Sequence, residues 1–251
     1  VYNSEAHIHR NEIGPIGGYF GLWLGGSYDV IAENNSIFET SLTPVVAGMY
    51  SYSIQAASRL YLANNSISYD GTGTCSSDTN WGGQFSCPVL HAYLTGVTMY
   101  DNIITASGTA DGIRAVGSLL DIQRNSFDVQ KTGAVIKNYD SGYADSQQYG
   151  SLAYFSENDW NQAESVYKVT KSSVTAQSEY IPSPPSGEYP VKLSWPDQEA
   201  WPDNQFQGAI IPTPVKDCNN CQNMTPRNFP LGVSMDNNST VFTFADLTNL
   251  D

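Results

Sequence analysis

Six segments of the chain share one frame, apolar-x-apolar-x-x-Asn-x-apolar. They read EAHIHRNEI around Asn11, VIAENNSI around Asn35, LYLANNSI around Asn65, VTMYDNII around Asn102, LDIQRNSF around Asn125 and AYFSENDW around Asn158. Two residues after each Asn stands a large apolar side chain: Ile13, Ile37, Ile67, Ile104, Phe127 and Trp160. Three residues before it stands another apolar residue: Ile8, Ala32, Leu62, Met99, Ile122 and Phe155. Period-two alternation means strands that turn every second side chain inward. A frame repeated at intervals of 24, 30, 37, 23 and 33 residues means a stack of similar units, the longer intervals carrying loops.

The Asn falls where one strand must bend into the next. It is expected to take the left-handed backbone conformation there and to pass its amide bonds to the Asn stacked above or below. A second strand precedes most frames, as in FGLWLGGS (20–27), VLHAYLTG (89–96), DGIRAVGS (111–118) and GAVIKNYD (133–140). The cycle is then strand, bend, strand, bend, and the fold class is all-β.

This cycle resembles the right-handed parallel β-helix families of the pectate-lyase-like superfold, most closely the short carbohydrate-binding and sugar-hydrolase (CASH, NosD-like) repeat. The resemblance covers residues 5 to about 175 and implies about six coils with an Asn ladder. It speaks to architecture and carries no catalytic motif with it, since enzymes, adhesins and inert surface proteins share such folds. The frame is in register from Ala6 onward, so further coils upstream are an expectation.

Two domains are expected: the β-helix over 1–175 and a Pro-rich segment over 176–251. Ten of the 13 prolines lie in the second part, and proline cannot donate to an interior ladder. That segment still holds Trp195, Trp201, Phe206, Ile210, Ile211 and Phe229, enough apolar surface to pack on the rod. STVFTFADL (239–247) reads as one strand added to a sheet edge, in this molecule or a neighbour.

Only 14% of residues are charged and the net charge is −14, a field that repels nucleic acid and anionic lipid. No apolar run approaches transmembrane length. Cys75 and Cys87 bracket a Gly- and Ser-rich loop and are expected to pair, as are Cys218 and Cys221 in DCNNCQ. The Cys-x-x-Cys has neither the second ligand pair of a zinc site nor a βαβ context. Sequons at Asn34, Asn64, Asn223, Asn237 and Asn238 make these candidate glycosylation sites. Disulfides, sequons and few charges together point to an extracellular or cell-surface location.

No nucleophile elbow, phosphate loop, HExxH helix or EF-hand loop is present. The nearest catalytic candidates are Arg114 with Asp111, His91 one coil earlier and Lys137 one coil later, read as a polar stripe on outward positions. At such positions Arg114→Ala is expected to leave folding unchanged within about 0.5 kcal/mol. His7 and His9 share one strand face and read as solvated. Asp197, Glu199 and Asp203 in WPDQEAWPD are candidate calcium ligands, beside the plainer reading of two Trp anchors. Trp23, Tyr50, Trp81 and Tyr93 are candidate platforms for sugar rings.

The favoured expectation is a non-catalytic extracellular structural or adhesive protein without a required cofactor, such as a surface-layer, filament or adhesin segment. Its partners would be like subunits, other surface proteins or polysaccharide. The rivals are a polysaccharide-active lyase or hydrolase and a carbohydrate-binding module, each using a lateral groove.

Overall fold

The computed structural model describes residues 5–15, 20–25, 29–48, 59–71, 73–75, 85–138, 151–170, 172–177, 179–180, 191–194, 205–207, 233–235 and 242–244. Among the described residues there is no helix.

Three parallel sheets carry the chain. Sheet I holds the strands Leu22–Gly25, Val45–Gly48, Leu90–Tyr93, Ile113–Val116, Thr132–Lys137, Ser165–Thr170 and Val191–Ser194. Sheet II holds Ala6–His9, Asp29–Glu33, Arg59–Ala63, Gly96–Tyr100, Leu119–Gln123, Leu152–Ser156, Ser173–Gln177 and Gln205–Gln207. Sheet III holds Glu12–Ile13, Ser36–Ile37, Ser66–Tyr69, Ile103–Ala106, Ser126–Val129 and Asp159–Asn161. The chain visits I, II and III in turn and returns to I one step further along. Each strand therefore pairs with its counterpart in the next cycle, which makes the architecture parallel β-helix-like.

The inward columns follow the alternation. On sheet III, Ile13, Ile37, Ile67, Ile104, Phe127 and Trp160 are successive register partners, all buried except the half-buried Ile13. On sheet II, Ile8, Ala32, Leu62, Met99, Ile122 and Phe155 do the same. The aromatic end of the core is tightly fitted. Trp160 stacks on Phe127 at 4.1 Å between ring centroids, and Phe155 and Tyr167 close around it at 5.9 and 5.4 Å. Gly133 makes room, because a β-carbon there would stand 2.5 Å from the indole ring.

A directional hydrogen-bond series runs through the bends between sheets II and III. Asn11 Nδ2 donates to Asn35 Oδ1 at 3.0 Å, Asn35 to Asn65 at 3.0 Å and Asn65 to Asn102 at 2.9 Å. Asn102 continues to Asn125 at 2.9 Å, and Asn125 to Asn158 at 3.0 Å. Each accepting Oδ1 also takes the backbone N–H of the preceding Asn. From Asn35 onward each Nδ2 further donates to a carbonyl one cycle back, such as Leu62 for Asn102. These buried amides are thereby satisfied. The left-handed bend belongs to the residue before each Asn and not to the Asn itself, contrary to the expectation above. Arg10, Asn34, Asn64, Asp101, Arg124 and Glu157 have φ between 53° and 56°.

The series ends on a carboxylate. Glu179, fully buried, occupies the position after Asn158: its Oε1 accepts Asn158 Nδ2 at 2.9 Å and Asn158 N at 3.1 Å. Its Oε2 accepts Tyr167 Oη at 2.6 Å and the indole N–H of Trp160. Sheets I and II continue past residue 180 with Val191–Ser194 and Gln205–Gln207 as end strands. Phe242–Phe244 pairs antiparallel with Val233–Met235, so its partner is a neighbouring strand of the chain and not a parallel-sheet edge.

Candidate functional site

Two polar regions lie outside the core. The first, on the outer face of sheet I, gathers the catalytic candidates. His91 and Arg114 are register partners on adjacent strands, with Val135 and Lys168 following in the same row, while Tyr93, Val116 and Lys137 form the next row. His91 thus shares a row with Arg114, whereas Lys137 stands in the neighbouring row, and the positions are not open to solvent. His91 is 3% exposed, Arg114 8% and Asp111 9%, and Lys137 is half-buried.

Burial shapes the chemistry of this cluster. It holds the His91 imidazole down to about 3, with the Arg114 charge adding to the effect, so the ring is neutral at ordinary pH. Burial lowers Arg114 and Lys137 and raises Asp111, whose neighbours Thr132 and Lys168 partly offset the rise. Lys168 Nζ donates to Thr132 Oγ1 at 2.7 Å. An imidazole held this low is a poor general base, since effective proton transfer needs a pKa near the working pH. The expectation that Arg114→Ala is neutral is corrected by the burial. Truncation empties a buried position and removes one of the charges that offset the burial of Asp111, and is expected to cost about 1–3 kcal/mol in urea unfolding. A midpoint equal to that of wild type would restore the solvent-exposed reading.

Trp23 and Tyr93 also lie on sheet I. Trp23 is half-buried and Tyr93 6% exposed, its ring set edge-on to His91 at 6.4 Å, so neither is an open platform. Tyr50, Trp81, Asp197, Glu199, Asp203, Asn223, Asn237, Asn238, Cys218 and Cys221 lie outside the described residues. Asn34 and Asn64 are exposed at successive bends, next to the buried Asn35 and Asn65. His7 and His9 are exposed as expected; His7 Nε2 meets Glu33 Oε1 at 2.8 Å. Among the described residues no group of three His, Cys, Asp or Glu is placed to hold a metal.

The second region is open. On the outer face of sheet II, Asp29, Arg59, Gly96, Leu119 and Leu152 form one row and Ile31, Tyr61, Thr98, Asp121 and Tyr154 the next. Gly96 interrupts the first row, and the missing side chain leaves a dip between Arg59 and Leu119. A cleft of about 790 Å³ occupies it, lined also by Leu94, Thr95 and Gly117 from the bends between sheets I and II. Ile31, Tyr61 and Leu119 are 40%, 37% and 59% exposed.

Fixed polar groups border the cleft. Tyr100 Oη donates to Asp121 Oδ2 at 2.8 Å and Gln123 Nε2 to Asp121 Oδ1 at 2.7 Å. Burial and then the bond to Asp121 push the Tyr100 hydroxyl up to about 12, so it stays a donor. Arg59 Nε lies 3.0 Å from Asp29 Oδ1, and the Tyr61 ring packs 5.8 Å from that of Tyr100. None of Arg59, Tyr61, Gly96 or Asp121 stands out in the sequence, because the frame marks inward positions and these are outward ones, and Leu94 lies in a bend that the frame does not cover.

The architecture defines an all-β, parallel β-helix-like protein with one buried and one open polar region. No family model, curated protein or solved structure matches the chain. Among the described residues no helix is long and apolar enough to cross a membrane.

Proposed function

We propose that the chain is a non-catalytic, extracellular structural or adhesive module, built as a right-handed parallel β-helix of the pectate-lyase-like kind. The hand follows from the strong preference of parallel crossovers. The observation that carries the functional reading is the open face of sheet II, where Ile31, Tyr61, Leu119 and Leu152 remain exposed across neighbouring coils. An exposed apolar tract on a rigid scaffold marks an interaction surface. Like subunits, other surface proteins or polysaccharide are its partners. Asn34 and Asn64, exposed at the bends, are its glycan attachment points, and calcium at Asp197, Glu199 and Asp203 is a subsidiary proposal.

A polysaccharide lyase or hydrolase is the second reading, favoured by the meeting of Arg114, His91, Asp111 and Lys137 on sheet I. Incubation with neutral and acidic polysaccharides decides between them. No new reducing ends or unsaturated products are expected from the wild type. Turnover that Arg114→Ala abolishes, in a variant that remains folded, would put the enzyme reading in place of the scaffold.

Export implies disulfides. Thr74–Cys75 pairs antiparallel with Phe85–Ser86, which brings the two ends of the Gly- and Ser-rich loop together. Cys87 follows directly and is buried; among the described residues no cysteine is free. Cys75–Cys87 and Cys218–Cys221 are the proposed pairs, the first worth up to about 3 kcal/mol through loop closure. Thiol titration of the unreduced, denatured protein is expected to find none reactive; four reactive thiols would overturn both.

A further inference from the structure

We infer that the outer face of sheet II pairs with the same face of a second copy of this chain, in a two-fold dimer of antiparallel rods. The inference rests on the structural or adhesive reading above and names a like subunit as the partner at this face. Shape carries it furthest. A two-fold contact needs knob and hole on one patch, at equal distances on either side of the axis. Sheet II has eight strands, and its centre falls between the fourth, Gly96–Tyr100, and the fifth, Leu119–Gln123. On one side of that line the cleft opens at Arg59 and Gly96. On the other stand Leu119 and Leu152, 59% and 54% exposed.

A two-fold axis along that line, parallel to the strands, reverses the order of the coils and sets each row against itself. Gly96 then faces the partner's Leu119, and Arg59 faces the partner's Leu152. The two leucines of each copy thereby fill the cleft of the other. In the neighbouring row the Thr98 hydroxyl faces the partner's Asp121, and Tyr61 faces the partner's Tyr154. The bends repeat the match. Leu94 and Gly117 both line the cleft and are counterparts in successive coils, so Leu94 faces the partner's Gly117 across the same axis. Leu94 holds φ 50°, a conformation that costs leucine more than glycine, and this strained residue sets an apolar side chain at the contact. Moving the axis by half a coil spoils the fit. Centred on Gly96 it leaves glycine opposite glycine, and centred on Leu119 it brings Asp121 against its own copy.

Charge and area agree with a like partner. Two copies at a net charge of −14 each repel one another over most of their surfaces. The cleft is where that repulsion is weak. It carries two carboxylates and one guanidinium, Asp29 and Asp121 against Arg59, and the Arg59–Asp29 pair is closed at 3.0 Å. Eight strands at about 4.8 Å, with residues rising about 3.3 Å each, make a face of about 600 Å² per copy. The dimer would bury about 1,200 Å² in all, the lower end of the range for specific complexes, so it is a dissociable one.

Sedimentation equilibrium of the full chain tests this. A monomer–dimer equilibrium with Kd of about 1–100 µM is expected, tightening as added salt screens the repulsion between copies. Gly96→Leu sets leucine against leucine, and Leu119→Gly leaves a void. Each alone should weaken the dimer at least tenfold, whereas the two together exchange knob and hole and should restore it to within threefold of wild type. Leu152→Ser should also weaken it tenfold, and Ile103→Ser, on sheet III and 58% exposed, should leave it within twofold. Circular dichroism verifies that each variant folds, and Leu152→Ser carries the test if the glycine variant does not. A wild type that stays monomeric above that concentration range would overturn the dimer and leave the adhesive reading to a partner of another kind. So would indifference to Gly96→Leu and Leu152→Ser, loss of the dimer in Ile103→Ser, or growth beyond two copies, since a two-fold contact closes on itself. Polysaccharide turnover by a dimer that keeps these responses would instead overturn the non-catalytic reading and leave the interface in place.

Discussion

Glu179→Ala is expected to be among the most destabilising single substitutions in the chain, at about 4–5 kcal/mol, because it strands four buried donors at once. Those donors are Asn158 N, Asn158 Nδ2, Trp160 Nε1 and Tyr167 Oη. The amides from Asn11 to Asn158 all point their N–H groups toward Glu179, so their dipoles add, and the carboxylate meets the positive end as an anion meets a helix N-terminus. Burial nevertheless raises the Glu179 carboxyl above the ordinary 4.5, and the four donors recover only part of that cost.

The sign of the pH effect follows. With the folded value above the unfolded one, the folded state holds its proton more tightly. The contribution is fully present below 4.5 and is lost as pH rises through the folded value. Glu179→Gln keeps an acceptor for Asn158 and does not titrate. Urea unfolding of both proteins across that interval should therefore show wild type losing stability relative to the Gln variant as pH rises. An Ala variant within about 1 kcal/mol of wild type would remove Glu179 from this role.

Glu179 also shows where the sequence was readable and where it was not. Residues 174–181, VTAQSEYI, fit the repeat in every apolar position, with Glu in place of Asn. A search keyed to the Asn passes over it, whereas one keyed to the apolar offsets finds a seventh frame. The inward columns were legible because period-two alternation fixes them before any register is known. The bends were not. Arg10, Arg124 and Glu157 carry the left-handed angle without the residue types that announce it. Exposure on sheet I was equally hidden, since alternation separates the two faces of a strand but does not tell whether the outer one is covered. His91 and Tyr61 occupy the same kind of outward position, and only the fold buries one and opens the other. The cleft needs four strands in register before Gly96 becomes a gap between Arg59 and Leu119.

The same directionality predicts that a carboxylate tolerated at the end of the series is harmful inside it. Asn102 must both accept, from Asn65 N and Nδ2, and donate, to Asn125 Oδ1 and the carbonyls of Leu62 and Tyr100. Asn102→Asp preserves size and both acceptor roles but replaces the donating nitrogen with oxygen. Three acceptors then face a buried anion, and the group has only desolvation and repulsion to meet. A loss of about 4 kcal/mol at neutral pH is expected. Protonation restores one donor, so the new carboxyl is raised in the folded state, and the deficit should shrink as pH falls through that raised value. Glu179 escapes the penalty of the interior site because all four of its partners donate and none asks it to. Urea unfolding of Asn102→Asp at neutral pH and in mild acid is the measurement. Stability equal to wild type at neutral pH would mean that the amides do not form a one-way series, and the account of Glu179 as its end would fall with it.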